Sequence, residues 1–126
     1  MKITSRITSD IACCSDLLES VFNFGKTDVI VFYTLTPRKW FRVEDISAIV
    51  GKDQSTVYRS LLKLAGMGFV IRDSQTIKDG GYYFTYALVN STRMEKILKD
   101  KIEELSERMR TLTRDLIREM ESRESL

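Results

Sequence analysis

Residues 43–73 read VEDISAIVGKDQSTVYRSLLKLAGMGFVIRD, and residues 82–88 read YYFTYAL. Apolar side chains recur at three- and four-residue spacings from Val43 to Val50 and again from Val57 to Leu64, which predicts two amphipathic helices. The Gly-Lys-Asp break between them predicts a tight turn, because Gly51 can take the positive φ that ends a helix. Two β-branched and aromatic segments then flank Asp79-Gly80-Gly81, which indicates a β-hairpin.

Two short helices followed by a hairpin are typical of a helix-turn-helix with a wing, a fold that reads DNA. The second helix, expected over about 54–67 and capped by Asp53 or Ser55, would enter the major groove. Its buried stripe is predicted to consist of Val57, Leu61, Leu62 and Leu64. The opposite face and the first turn would then be free to contact DNA.

The residue types on that face suit the reading of bases. Gln54 can pair with an adenine edge, and Arg59 with guanine or with phosphate. Backbone amides at the helix start also favour an anion. The residues predicted to contact double-stranded DNA are Arg42, Lys52, Gln54, Ser55, Thr56, Tyr58, Arg59, Lys63 and, at the wing tip, Lys78. The alternatives are an ordinary solvated helix face and a plain polar hairpin tip.

The segment from Phe24 to Asn90 resembles the winged-helix domain of archaeal and bacterial transcription regulators. The resemblance rests on three stretches of sequence, namely 43–47 (VEDIS), 55–64 (STVYRSLLKL) and 66–70 (GMGFV). It is most similar to the TrmB type, with MarR-like and Lrs14-like regulators close behind. The resemblance implies that the wing contacts the minor groove or nearby phosphates. Full-length TrmB regulators carry a large sugar-binding domain after their coiled coil, and the resemblance does not reach such a domain, so the small-molecule effector stays unknown.

Two further helices are expected before the first of this pair. Ser9-Asp10 can cap a helix with apolar residues from Ile11 to Phe22, for which Gly25 supplies the stop. Residues 29–35 contain enough β-branched side chains to form a strand. A helix is favoured instead, because Thr27 or Asp28 can cap its start and Pro37 disfavours its continuation. Trp40 and Phe41 are expected to anchor their loop in the core rather than to stack on bases.

A long last helix is predicted from about residue 91, with Thr92 and Glu95 as a capping box. Its apolar residues follow steps of 4, 3, 4, 3 and 4, a heptad seam flanked by charges. A dimer interface is the favoured interpretation, and folding back onto its own domain is the alternative. The predicted interface residues are Leu98, Ile102, Leu105, Met109, Leu112 and Leu116.

Composition limits the chemistry that 126 residues can perform. The chain has no histidine, so a histidine-based catalytic pair or metal site is excluded. Cys13 and Cys14 are adjacent and fit a reducing interior, one of them being expected to face the core and a thiol switch being the alternative. We expect no catalytic residue, no metal and no cofactor. Neither a transmembrane run nor a secretory signal is expected, which favours a cytoplasmic protein without a membrane partner.

Charge is concentrated where DNA is expected. The net charge is only +2, but the segment from Arg38 to Lys63 contains six basic and three acidic side chains. Residues 91–126 are neutral, with nine side chains of each sign. Such a local surplus of positive charge is what a nucleic-acid surface requires.

The expected fold is therefore mainly α with a small β-hairpin, a winged helix-turn-helix with a long C-terminal dimerisation helix. Residues 1–24 would form an N-terminal arm and helix, 25–90 the DNA-binding domain and 91–126 the coiled coil. The expected function is that of a homodimeric, sequence-specific regulator of transcription that represses its targets. An architectural, chromatin-type DNA-binding protein and a winged-helix module for protein interaction are the alternatives.

Overall fold

The computed structural model describes residues 13–126. The elements, in chain order, are α1 (Cys14–Val21), α2 (Lys26–Thr34), α3 (Val43–Val50), α4 (Gln54–Gly66), β1 (Val70–Thr76), β2 (Tyr82–Leu88) and α5 (Ser91–Glu124). The predicted mainly α architecture with a hairpin and a long last helix is confirmed. The predicted cap at Ser9-Asp10 lies outside the described residues.

The core lies where α2, α3 and α4 meet the base of the hairpin. Its fully buried aliphatic side chains include Val31, Ile46, Val57, Leu61 and Leu64. Phe69, which is also fully buried, joins this core to the first two helices through edge-on ring contacts with Phe22, Phe24 and Phe32 at centroid distances of 4.9, 5.7 and 6.0 Å. Edge-on pairs of this kind add to the stabilisation that burial provides.

The second helix is a helix, as predicted, although its sequence is β-branched. It begins at Lys26 rather than Val29, because Gly25 is its N-cap and Asp28 occupies its first turn. The Asp28 carboxylate accepts a hydrogen bond from the Gly25 amide at 2.8 Å, which satisfies one of the free donors at the helix start. The stop predicted at Gly25 is therefore wrong, and the reversal of the chain after α1 lies at Asn23, whose φ is 58°.

Two predictions about side-chain burial are also wrong. Leu62 is 46% exposed. It lies about 100° around the helix from the buried Leu61, which places it outside the narrow buried stripe. Both cysteines are exposed, since they precede or open α1 and stand before its first buried residue, Leu18.

The helix-turn-helix follows the sequence closely. Gly51 ends α3 in the left-handed conformation with φ of 71°, and the Ser47 hydroxyl donates to the Lys52 carbonyl across the turn. Asp53 is the N-cap of α4. The turn that was predicted from Gly-Lys-Asp therefore fixes where α4 begins.

The hairpin forms around the predicted Asp79-Gly80-Gly81 turn. Its strands pair from Val70 with Leu88 to Thr76 with Tyr82, which leaves a tip of residues 77–81. Phe41 pairs with the other edge of β2, donating to the Tyr86 carbonyl at 2.9 Å and accepting from the Tyr86 amide at 2.7 Å. Phe41 is buried as predicted, whereas Trp40 is 45% exposed and does not anchor the loop in the core.

The last helix has two halves with different surroundings. Asn90 caps it by accepting from the Arg93 amide at 2.8 Å, so the predicted capping box at Thr92 is wrong. In the first half, four partly buried side chains pack against the core, namely Met94, Ile97, Leu98 and Leu105. From Leu112 to the end every residue is exposed, and this second half extends about 20 Å along the helix axis.

A polar cluster of Asp28, Ser60 and Lys63 connects α2 with α4. Asp28 accepts from Ser60 Oγ at 2.5 Å and from Lys63 Nζ at 2.7 Å, and Lys63 also donates to the Asn23 carbonyl at 2.7 Å. Burial on its own would raise the pKa of Asp28. The hydrogen bonds from Lys63, Ser60 and Gly25 outweigh burial and hold this pKa below its ordinary value of 3.8.

This cluster predicts how folding stability responds to acid. Because the pKa of Asp28 is lowered by folding, its ionised form stabilises the fold above about pH 4 and ceases to do so as the pH falls through the lowered pKa. Asp28→Asn should reduce the free energy of unfolding by about 1–3 kcal/mol at neutral pH. The difference from the parent should shrink below about pH 4, as measured by urea unfolding at a series of pH values.

Asp115→Asn, which changes an exposed carboxylate on α5, serves as the matched control and should leave the urea midpoint near the parent's. A deficit in Asp28→Asn that stays the same from pH 7 to pH 2.5 would show that the ionised carboxylate is not what stabilises the contact.

Candidate nucleic-acid interface

The exposed face of α4 carries most of the residues that the sequence singled out. Val57, Ser60, Leu61 and Leu64 are buried, which turns the opposite side of the helix outward. Gln54, Ser55, Tyr58 and Arg59 are exposed, and Thr56 is partly covered. None of the four exposed side chains is needed to fill the core, so all four stand where a ligand could reach them.

The start of α4 is already occupied by a carboxylate. Asp53 accepts hydrogen bonds from Ser55 Oγ at 2.5 Å and from Thr56 Oγ1, and these bonds, in that order, lower the pKa of Asp53. Arg59 Nη2 in turn lies 3.3 Å from Thr56 Oγ1. A negative charge at this position repels phosphate and suits a base-edge donor, which qualifies the expectation that the helix start favours an anion.

Three predicted cationic side chains lie outside α4, before α3, in the turn before α4 and at the tip of the wing. Arg42 lies with its guanidinium carbon 4.2 Å from the centroid of the Tyr83 ring and its Nε 3.1 Å from the Glu44 carboxylate. Lys52 is exposed in the turn before α4, and Lys78 is exposed at the tip of the hairpin. These contacts fix the direction of Arg42, whereas the two lysines keep the freedom of surface side chains.

Arg72 is a candidate that the sequence reasoning missed. It stands on β1 with its guanidinium carbon 4.0 Å from the centroid of the Phe84 ring, and it pairs across the ladder with Tyr86. Burial and the nearby Tyr58 hydroxyl raise the pKa of Tyr86, while Arg72 acts against them. Arg72 therefore lies at the junction of the wing with α4. The signal was available, because a charged residue two positions after the buried Val70 shares its side of the strand.

Lys63 occupies a different place from the other predicted contacts. It lies on the flank of α4 that adjoins α2, in the cluster with Asp28 and Ser60, and its side chain is 35% exposed. Two hydrogen bonds to Asp28 and Asn23 already use its ammonium group. The structure therefore does not group Lys63 with the exposed cations of the turn and the wing.

The residues of the predicted dimer seam fall into two groups with different surroundings. Leu98 and Leu105 pack against the core of their own chain. Half-exposed side chains occupy the remaining positions, with Ile102 at 48%, Met109 at 50%, Leu112 at 49% and Leu116 at 54%. These four continue the same heptad seam of α5 and form a half-exposed apolar stripe.

Other kinds of site find no support in the part of the chain that the structure describes. Residues 13–126 contain no group of three or more cysteine, aspartate or glutamate side chains arranged to hold a metal ion. No helix within the same range combines the length and the apolar character that crossing a bilayer demands.

Comparison with known proteins agrees with the geometry. The family model described as "Sugar-specific transcriptional regulator TrmB" matches residues 18–92. The uncharacterized protein MJ1503 of Methanocaldococcus jannaschii is 32% identical over 100 residues, which cover 79% of this chain and 76% of the relative.

Two solved archaeal structures share the fold. A possible transcriptional regulator from Methanosarcina mazei Go1 superposes with a TM-score of 0.73 at 23% identity, over 80% of this chain and 86% of the other. The ST1889 protein from Sulfolobus tokodaii gives 0.62 at 24% identity, over 79% and 93% of the two chains. At these identities the likeness concerns the fold alone.

The matched segment begins in α1, contains the whole helix-turn-helix and wing, and ends at the start of α5. Proteins of this family are DNA-binding regulators of transcription and not enzymes, as the sequence predicted. The chain belongs to the TrmB family of transcriptional regulators.

Proposed function

We propose that this regulator binds a specific sequence in double-stranded DNA as a homodimer and represses transcription from the promoters it occupies. The observation that carries the proposal is the exposed face of α4, where amide, hydroxyl and guanidinium groups project from a helix whose other face is fully buried. Repression needs no more than occupancy, because a protein bound across a promoter blocks access to it. The proposal places the protein with its DNA target in the cytoplasm.

Contacts with DNA divide into two groups in this proposal. Gln54, Ser55 and Arg59 read base edges from α4, because residues near the start of a recognition helix meet the floor of the groove. A surrounding set grips the backbone and carries little sequence information. That set consists of Arg42, Lys52, Tyr58, Arg72 and Lys78, with Thr56 and Asp53 shaping the helix start.

Dimerisation rests on the half-exposed apolar stripe of α5. Ile102, Met109, Leu112 and Leu116 are half exposed, and every residue of this helix from Leu112 onward is exposed. A second copy is the occupant we propose, because the heptad spacing is self-complementary and residues 91–126 are neutral overall, so two copies do not repel. Such a dimer would hold two α4 helices at the distance of one turn of DNA. We keep 25–90 as the DNA-binding unit and 91–126 as the dimerisation unit.

The direct test is selection from a randomised duplex pool, followed by binding to the selected duplex and to a scrambled one of the same composition. We expect enrichment of one sequence with two-fold symmetry and at least about a thousandfold preference for it. Equal binding to both duplexes would favour an architectural protein. Failure to bind either at low salt would favour a module for protein interaction.

Arg59→Ala should weaken binding to the selected duplex by about 1–3 kcal/mol and relax the preference at one base pair. The fold should be unaffected, because Arg59 is exposed and alanine favours a helix.

Arg72→Ala is the matched comparison, since it removes the same charge from the wing. It should weaken selected and scrambled duplexes alike and lower the slope of log K against log salt by about 0.9. If the slope were unchanged and Arg72→Ala altered base preference instead, the two roles would be reversed. Binding would be measured by fluorescence anisotropy at several salt concentrations.

Leu112→Glu with Leu116→Glu should convert the dimer into a monomer while leaving each domain folded. The two leucines lie beyond the part of α5 that touches the core, so the four carboxylates of a dimer would fall in the seam alone. Sedimentation velocity and far-ultraviolet circular dichroism measure the two properties. Binding to the selected duplex should be lost at concentrations where the parent saturates.

Arg114→Glu with Arg118→Glu is the control for added charge. It introduces two carboxylates on the side of α5 away from the stripe, where they should leave the dimer intact. A seam variant that still sediments as a dimer would move the interface elsewhere, for example to the exposed side of α2 at Ile30 and Tyr33.

A further inference from the structure

Two polar side chains, three residues apart on α4, attach one flank of this helix to the first turn of α2 and to the segment that precedes it. Ser60 Oγ and Lys63 Nζ donate to the two different oxygens of the Asp28 carboxylate at 2.5 and 2.7 Å. Lys63 also reaches the Asn23 carbonyl at 2.7 Å, at the residue whose φ is 58°. The Asp28 carboxylate, 8% exposed, is thereby hydrogen-bonded by α4 and by the Gly25 amide at once.

Burial of the apolar stripe sets which side of α4 faces the core, and finer adjustment of its rotation falls to directional contacts. Burial of Val57, Leu61 and Leu64 stabilises the helix against the core, but the hydrophobic effect has no directional preference. Side-chain tips lie about 6 Å from a helix axis, so a rotation of 10° displaces them by about 1 Å. Such a displacement is enough to spoil a hydrogen bond to a base edge, whose distance is fixed within a few tenths of an ångström.

Directional contacts remove this freedom. Charge-assisted hydrogen bonds weaken steeply with distance and angle, so Ser60 and Lys63 hold α4 at one rotation and one height relative to α2. On the wing side the contact is softer, since Tyr58 approaches Tyr86 and no hydrogen bond joins the two elements there among the described bonds. The cluster with Asp28 is therefore the stronger of the two constraints on how α4 faces a ligand.

We infer that the Asp28–Ser60–Lys63 cluster sets the specificity of DNA reading by fixing the rotation of α4, with Lys63 as a positioning residue and not a phosphate ligand. This inference rests on the proposed function, because it concerns the contacts that α4 makes with bases. It assigns a second task to a contact that already contributes to folding stability, because directional polar groups define a geometry that apolar residues of similar size would not.

The test uses the full chain and compares Lys63→Met with Lys52→Met. Both remove one lysine charge, the first from the cluster and the second from the exposed turn before α4. Binding is measured for the selected duplex and for the scrambled duplex, each over a range of salt concentrations, with circular dichroism and thermal unfolding as checks on the fold.

Lys63→Met should lower the preference for the selected duplex about tenfold while leaving its scrambled-duplex affinity and salt slope at the parental values. Lys52→Met should instead weaken both duplexes alike and reduce the slope by about 0.9, as loss of one phosphate contact does. Asp28→Asn combined with Lys63→Met should lose less preference than the sum of the two single losses, because both changes break the same contact between Lys63 and Asp28.

The inference would be overturned by a reduced salt slope in Lys63→Met, by a parental preference in folded Lys63→Met, or by additive losses in the double variant. If Lys63→Met fails to fold, Ser60→Ala removes a single hydrogen bond and must show a smaller loss of preference in the same direction; an unchanged preference there overturns the inference as well. A parent protein that enriches no sequence contradicts the proposed function itself, an outcome distinct from these.

Discussion

The burial of one stripe of α4 is the interaction on which the rest of this structure depends. Val57, Leu61 and Leu64 have no exposed surface, and full burial of such side chains contributes about 1.5–3 kcal/mol each. Because these residues recur at three- and four-residue spacings, they turn the opposite side of the helix to solvent. The core of a small domain thus determines which side chains can meet DNA, and the turn at Gly51 determines where the helix that carries them begins.

Patterns with a short physical range could be predicted from the sequence. The left-handed turn at Gly51, the helical period of α3 and α4 and the Asp79-Gly80-Gly81 turn of the hairpin each depend on neighbours within a few residues. They were sufficient for the winged-helix architecture. The Val29–Leu35 region shows the limit of local propensity, because its β-branched residues form a helix that the Asp28 contact and the packing against α4 stabilise.

Features that depend on distant residues could not be predicted. The contact of Lys63 with Asp28, thirty-five positions earlier, is one such feature, because the sequence carries no sign that the two would meet. For Arg72 the sequence indicates the face of the strand, whereas its contacts with Phe84 and Tyr86 depend on strand register. Leu62 appeared apolar enough for the core, yet its exposure is set by the rotation of α4.

In the dimer that we propose, the apolar seam of α5 serves two purposes. Leu98 and Leu105 join the core and fix the direction in which the helix leaves, while Met109, Leu112 and Leu116 remain for a second copy. Binding to both half-sites then has one geometric requirement. Each α4 must have the correct rotation within its protomer, and the two α4 helices must have the correct separation. Hydroxyl-radical footprinting of the selected duplex measures that requirement most directly. The account predicts two protected half-sites with centres about 10 base pairs apart and related by two-fold symmetry. A single protected patch, or two patches whose separation is not a whole helical turn, would contradict it.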